Sequence, residues 1–117
     1  MEQVNLLDLI PIRNREWEEL DSEHVVILDP KFKNKILAKW LLPRLKNPYF
    51  RVKLDAYGSW VWSQCDGQTT VRQIGISLRE RFGEGVEPVY ERLRIFLRVL
   101  ERNKFIILRQ QKTPGIC

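Results

Sequence analysis

The sequence predicts an α+β domain. Three antiparallel strands pack on three helices, the last two forming a helix-turn-helix, and a basic helical insertion precedes the third strand. Three observations carry the assignment. Residues 49–54 (YFRVKL) alternate with period two and give way at Asp55 to a helical repeat. Val25, Val26 and Ile27 form a β-branched cluster beside a loop of hairpin length. Thr70 and Gln73 stand at capping-box spacing ahead of a long amphipathic stripe.

From the N-terminus, residues 4–12 (VNLLDLIPI) are apolar but interrupted by Pro11, and they read as a packed arm over residues 1–14. Residues 17–20 and 24–28 are the first two strands, joined through Asp21, Ser22 and Glu23, with His24 an ordinary strand residue. Asp29-Pro30 ends the second strand. Asn34 then caps a short helix over 35–42 that Pro43 stops. Ile36, Leu37, Trp40 and Leu41 recur at helical spacing, so this side is expected to pack while Lys35 and Lys39 point outward. In the third strand, Phe50, Val52 and Leu54 share one face and Arg51 and Lys53 the other, which makes the outer face cationic.

Asp55 caps the next helix, which carries Trp60, Val61 and Cys65 on its apolar side and ends at Asp66-Gly67. Trp60 and Trp62 stand two apart and cannot both face one core, so one of them is expected at an edge. The second helix bears Val71, Ile74, Leu78 and Phe82 as a stripe, with Gly83 at the left-handed C-terminal position. Pro88 opens the third helix in its first helical position, where its missing N–H costs nothing. Val89, Leu93, Phe96, Leu97 and Leu100 form its core stripe, while Ile95 and Val99 widen the apolar arc beyond one interface. Residues 105–108 read as a terminal strand and 109–117 as a flexible tail. The element order is winged-helix-like.

Composition narrows the function. The chain has 117 residues with 44% hydrophobic content, enough for one folded domain over 1–108. It lacks an apolar run long enough for a membrane span and a signal-like N-terminus, so a cytoplasmic location is expected. With one His, and two Cys outside CxxC spacing, no zinc site or Cys-His nucleophile pair is visible. Gly67, Gly83 and Gly85 do not stand at phosphate-loop spacing. The expectation is a non-enzymatic protein with no cofactor and no metal.

The net charge of +5 is unevenly placed. Residues 31–53 hold Lys31, Lys33, Lys35, Lys39, Arg44, Lys46, Arg51 and Lys53 and no acid. Phe32, Trp40, Tyr49 and Phe50 are interleaved with them. Such a stretch points to an anionic partner, an acidic peptide or a nucleic acid.

The pattern Leu54-Asp55-x-x-Gly58-x-x-x-Trp62-x-x-Cys65-Asp66-Gly67-x-x-Thr70-Val71-x-x-Ile74 resembles the PqqD family. These are small peptide-binding proteins of pyrroloquinoline quinone biosynthesis, and more widely the recognition elements for ribosomal peptide precursors. Leu78, Phe82, Val86-Glu87, Leu93, Phe96-Leu97, Leu100 and Phe105-Ile106 continue the match, which covers residues 17–108. The resemblance implies a groove between strand 50–54 and helix 88–103. There a precursor leader joins the sheet as a strand and is presented to a modifying enzyme, often a radical SAM protein. Carried over by position, the groove comprises Phe50, Arg51, Val52, Lys53 and Leu54 from the strand and Tyr90, Arg94, Ile95, Arg98 and Val99 from the helix. Spacing leaves open which face of the helix lines it. The arm and the basic insertion 31–49 exceed the family pattern, and the quinone pathway itself is not implied.

Two other functions compete. A winged-helix DNA-binding protein would read bases with Arg92, Arg94, Arg98 and Arg102, but Glu91 and Glu101 on the same helix repel phosphate. A homo-oligomeric scaffold would pair the edge strand with its own copy, and a homodimer of that kind is compatible with peptide binding. Charge on the strand favours an acidic or amphipathic precursor peptide over nucleic acid, with no membrane involved.

Overall fold

The computed structural model describes residues 5–110. In chain order the elements are β1 (Leu9–Arg13), β2 (Glu16–Glu19), β3 (Val25–Pro30), α1 (Lys35–Leu41), β4 (Tyr49–Lys53), α2 (Ala56–Gln64), α3 (Val71–Phe82), α4 (Val89–Arg102) and β5 (Ile106–Gln110). The chain divides into two compact units, residues 15–59 and the segments on either side of that stretch. The α+β class and the three-stranded antiparallel sheet expected from the sequence are present, with four helices including the one in the insertion.

In the unit of residues 15–59 the strand order is β2-β3-β4, and Val26 stands opposite Glu18 on one side and Lys53 on the other. Val25, Val26, Ile27 and Leu54 are buried. The turn between β2 and β3 is held by the Asp21 carboxylate, which accepts from Glu23 N at 2.8 Å and His24 Nδ1 at 2.9 Å. Those two hydrogen bonds, the amide first, keep Asp21 below the usual carboxylate range. β3 runs through Pro30 instead of stopping before Asp29. The hydrogen bonds at the two ends of the β3–β4 ladder, Leu54 N to Val25 O and Lys31 N to Pro48 O, belong to pairs that alternate with the Pro30 pair. The N–H that Pro30 lacks would therefore face away from β4.

Asn34 caps α1 as expected, accepting from Ile36 N and Leu37 N. The expectation that Ile36, Leu37 and Trp40 pack fails, since they are 70%, 47% and 63% exposed. Of the four residues at that spacing, Leu41 alone is half-buried, together with Ala38 and, just beyond the helix, Leu42. With only seven residues, α1 presents one arc to the unit and leaves the rest in solvent.

In the other unit, the expected N-terminal arm contains a strand: β1 pairs with β5, from Leu9 opposite Gln110 to Arg13 opposite Ile106. Pro11 does not break it, because the Pro11 carbonyl points away from β5 and accepts from Gly67 N at 3.1 Å. Its missing N–H therefore costs no ladder bond. β5 continues to Gln110, two residues past the expected strand end, and the rest of the predicted tail, 111–117, lies outside the described residues. The stripe residues Val71, Ile74 and Leu78 of α3 and Val89, Leu93, Leu97 and Leu100 of α4 are buried, while Phe82 and Phe96 are half-buried. Each fully buried Leu or Ile contributes about 1.5–3 kcal/mol.

The Thr70–Gln73 capping box is formed: Thr70 Oγ1 accepts from Gln73 N at 3.2 Å, and Gln73 Oε1 accepts from Thr70 N at 2.9 Å. Gly83 has the positive φ expected of it, 68°, but its ψ of −146° is not that of the left-handed helical cap. Pro88 is the N-cap of α4 and not its first helical residue, since its ψ of 109° is extended.

Candidate functional site

β4 is an edge strand. By the same alternation, Phe50 and Val52 exchange backbone hydrogen bonds with Asp29 and Ile27. The N–H and C=O groups of Tyr49, Arg51 and Lys53 then point to the other side, where no strand pairs with them among the described residues. Such a row of open donors and acceptors is the template on which an extended chain adds to a sheet.

The side chains of this strand differ from expectation in two ways. Phe50 does not share the burial of Val52 and Leu54: it is 55% exposed, with Lys31 Nζ 5.5 Å from its ring centroid. The cationic face also has its own acid, because Arg51 Nη2 lies 3.0 Å from Glu18 Oε2, reaching diagonally across β3. Both partners are about half exposed, so the pair adds little stability, but it tempers the positive field of the edge. The signal for it was in the sequence: Glu16 and Glu18 alternate in β2 as Arg51 and Lys53 do in β4.

At the Tyr49 end of this edge lies a pocket of about 230 Å³. Phe32, Ala38, Leu42 and Tyr49 form its apolar wall, with Lys33 and Lys35 among its lining residues. The buried Asp29 carboxylate is shared by Arg15 Nε and Lys33 Nζ, each at 3.3 Å. Lys35 has no ion-pair partner among the described residues. Sequence reasoning saw the mix of aromatic and basic residues but not that the insertion folds back to line an open pocket.

The helix residues singled out above belong to the other unit. Tyr90 is committed to α3: its ring fills the space where a Gly75 Cβ would stand, its hydroxyl donates to Arg72 O at 3.2 Å, and Arg79 stacks on it at 5.1 Å. Arg94, Ile95, Arg98 and Val99 are exposed, the two apolar ones by about half. Arg98 is paired with Glu101 at 2.8 Å. The predicted helix residues thus offer open apolar and basic groups, as those of β4 do.

The Cys65-Asp66-Gly67 turn is structural. Asp66 accepts from Gln68 N, Thr69 N and Thr69 Oγ1, and Gly67 has φ +79°. Arg109 Nη2 donates to Gly67 O, and Arg13 N donates to Cys65 O. Burial pushes the Cys65 thiol up to about 12, so it carries no thiolate at neutral pH. Trp62 is buried and Trp60 lies at the edge, its Nε1 donating to Ser77 Oγ at 2.8 Å and Arg81 over its ring.

Among the described residues no group of three or more His, Cys, Asp or Glu could hold a metal ion, and no helix is long and apolar enough to cross a membrane. A family model described as coenzyme PQQ synthesis protein D (PqqD) matches residues 42–106, more than half of the chain. No curated protein and no solved structure matches.

Proposed function

The chain belongs to the PqqD family, and from that membership we propose that it is a non-catalytic module that binds a precursor leader peptide and presents it to a modifying enzyme, such as a radical SAM protein. The observation that carries this reading is the open edge of β4, where the peptide groups of Tyr49, Arg51 and Lys53 have no strand partner among the described residues. A leader pairing there gains main-chain hydrogen bonds from the strand and side-chain selectivity from Phe50, Val52, Lys53 and the half-paired Arg51. Arg94, Ile95, Arg98 and Val99 of α4 are the second contact surface in this reading, and Tyr90 supports α4 from behind. α3 and α4 with their short link are read as the helix-turn-helix of a winged-helix-like arrangement.

Binding to duplex DNA has less support. Of the four arginines on α4, Arg92 donates to Gly85 O and Arg98 is held by Glu101. Self-association has one observation in its favour: the opposite edge strand, β2, exposes Glu16, Glu18 and Glu19, which complement the bases of β4. Titrating the ¹⁵N-labelled chain with synthetic leader segments of candidate precursors separates these readings. Peptide docking shifts residues 49–54 and the exposed α4 residues. A monomer that shows no such shifts with any leader contradicts the proposal, and concentration-dependent sedimentation without peptide supports self-association instead.

A further inference from the structure

We propose that the pocket between α1 and the Tyr49 end of β4 receives one apolar side chain whose own residue, or the next one, carries a carboxylate. The inference rests on the peptide-docking reading only for how the ligand arrives, since Tyr49, which ends the open edge of β4, also lines the pocket beside Arg15 and Pro30.

Its size decides the class of occupant. At about 230 Å³ it falls below the roughly 300 Å³ at which sites for drug-sized ligands and cofactors begin, and suits a single side chain. Phe32, Ala38, Leu42 and Tyr49 offer that side chain an apolar wall. The charge decides what accompanies it. Asp29 is already shared by Arg15 and Lys33, residues 31–53 contain no acid, and Lys35 lines the pocket without an ion-pair partner among the described residues. An incoming carboxylate is the complementary group, and a cationic ligand is repelled. A second copy docking by this same face is a poorer fit, because it brings the same basic insertion to the same place, and one docking by its β2 edge brings the carboxylates of Glu16, Glu18 and Glu19 to β4 and is read out by sedimentation.

The test uses small probes on the full ¹⁵N-labelled chain: N-acetyl-L-leucine, which keeps a carboxylate, and N-acetyl-L-leucinamide, which does not. The acid is expected to give saturable shifts at Phe32, Ala38, Leu42 and Tyr49, and to bind about tenfold more tightly than the amide, the worth of one charge-assisted contact. Lys35→Gln is expected to remove most of that difference. Ala38→Phe, which fills the pocket, is expected to abolish both sets of shifts while the spectrum of β2 and β3 stays unchanged. If Ala38→Phe disturbs the fold, Leu42→Phe serves the same purpose. Shifts that rise linearly without saturating, equal affinity for acid and amide, or shifts confined to the exposed Ile36 and Trp40 overturn the inference.

Its failure is distinguishable from failure of the peptide reading. A leader that shifts residues 49–53 while leaving Phe32 and Ala38 unmoved overturns the pocket alone. Saturable acid binding in the pocket with no leader on β4 supports the pocket and removes the peptide reading.

Discussion

The Cys65 thiol sits at full burial with Sγ donating to Val61 O at 3.2 Å, and desolvation raises it to about 12. In a Cys117→Ser variant, iodoacetamide at pH 8 is expected to leave Cys65 unlabelled in the native protein and to label it only on unfolding. Rapid native labelling would show that the turn opens. Gly75 is a second residue whose role is set by one neighbour. A Cβ there overlaps the Tyr90 ring, which Arg72 O and Arg79 hold in place. Gly75→Ala should therefore cost about 1–3 kcal/mol in denaturant unfolding, as overpacking does. In a Tyr90→Ala background the same change should stabilise by up to about 1 kcal/mol, because Ala is the better helix former. A Gly75→Ala cost that is equal in both backgrounds would deny the contact. Nothing in the sequence marks this pairing, since a mid-helix glycine and a tyrosine fifteen positions on have no local relation.

At the scale of elements, sequence pattern was legible where one face of an element meets one environment. The α3 and α4 stripes and the capping box are examples, as are the hairpin of β2 and β3 and the alternation of β4. Pro11 and Pro30 misled because proline reads as a strand breaker, and which edge its missing N–H faces is decided by a partner strand distant in sequence. α1 misled for another reason: its apolar spacing is that of a packed helix, but of the residues at that spacing only Leu41 is half-buried, beside Ala38 and, just past the helix, Leu42. Trp40→Ala and Ile36→Ser should thus change stability by no more than about 0.5 kcal/mol, whereas Leu93→Ala should cost about 2–5 kcal/mol. A loss above 2 kcal/mol on removing Trp40 would contradict its exposure.

The turn after α2 makes a statement about pH. Burial raises the Asp66 carboxyl, but hydrogen bonds from Gln68 N, Thr69 Oγ1 and Thr69 N outweigh it and leave the group below its ordinary 3.8. A carboxyl lowered in the folded state stabilises at neutral pH, and that contribution is lost as pH falls from 3.8 toward the folded value. Thermal unfolding should therefore lose stability below about pH 4, and Asp66→Asn should flatten that loss.

For the whole molecule, the charge that the sequence concentrates in residues 31–53 turns out to be partly answered from within. Glu18 takes Arg51 and Asp29 takes Lys33, while Lys35, Lys39, Arg44, Lys46 and Lys53 have no ion-pair partner among the described residues. The family and the strand were readable because both depend on short-range pattern, the turn motif and the period of two. The pairing of Arg51 with Glu18 was signalled only by the matched alternation of acids in β2 and bases in β4, and the pocket was not legible, because its lining joins side chains more than ten positions apart. What remains of the positive charge belongs to β4 and the insertion, and an acidic extended chain would complement it. A chain that adds to β4 by its backbone would leave, through the alternation of the strand, a signature that side-chain contacts alone cannot mimic. Amide hydrogen exchange, followed by NMR with and without a bound leader segment, reads it directly. The amides of Phe50 and Val52, already bonded to β3, should change little, while those of Arg51 and Lys53 should slow by an order of magnitude or more. Unchanged exchange at Arg51 and Lys53 in a saturated complex would contradict strand addition.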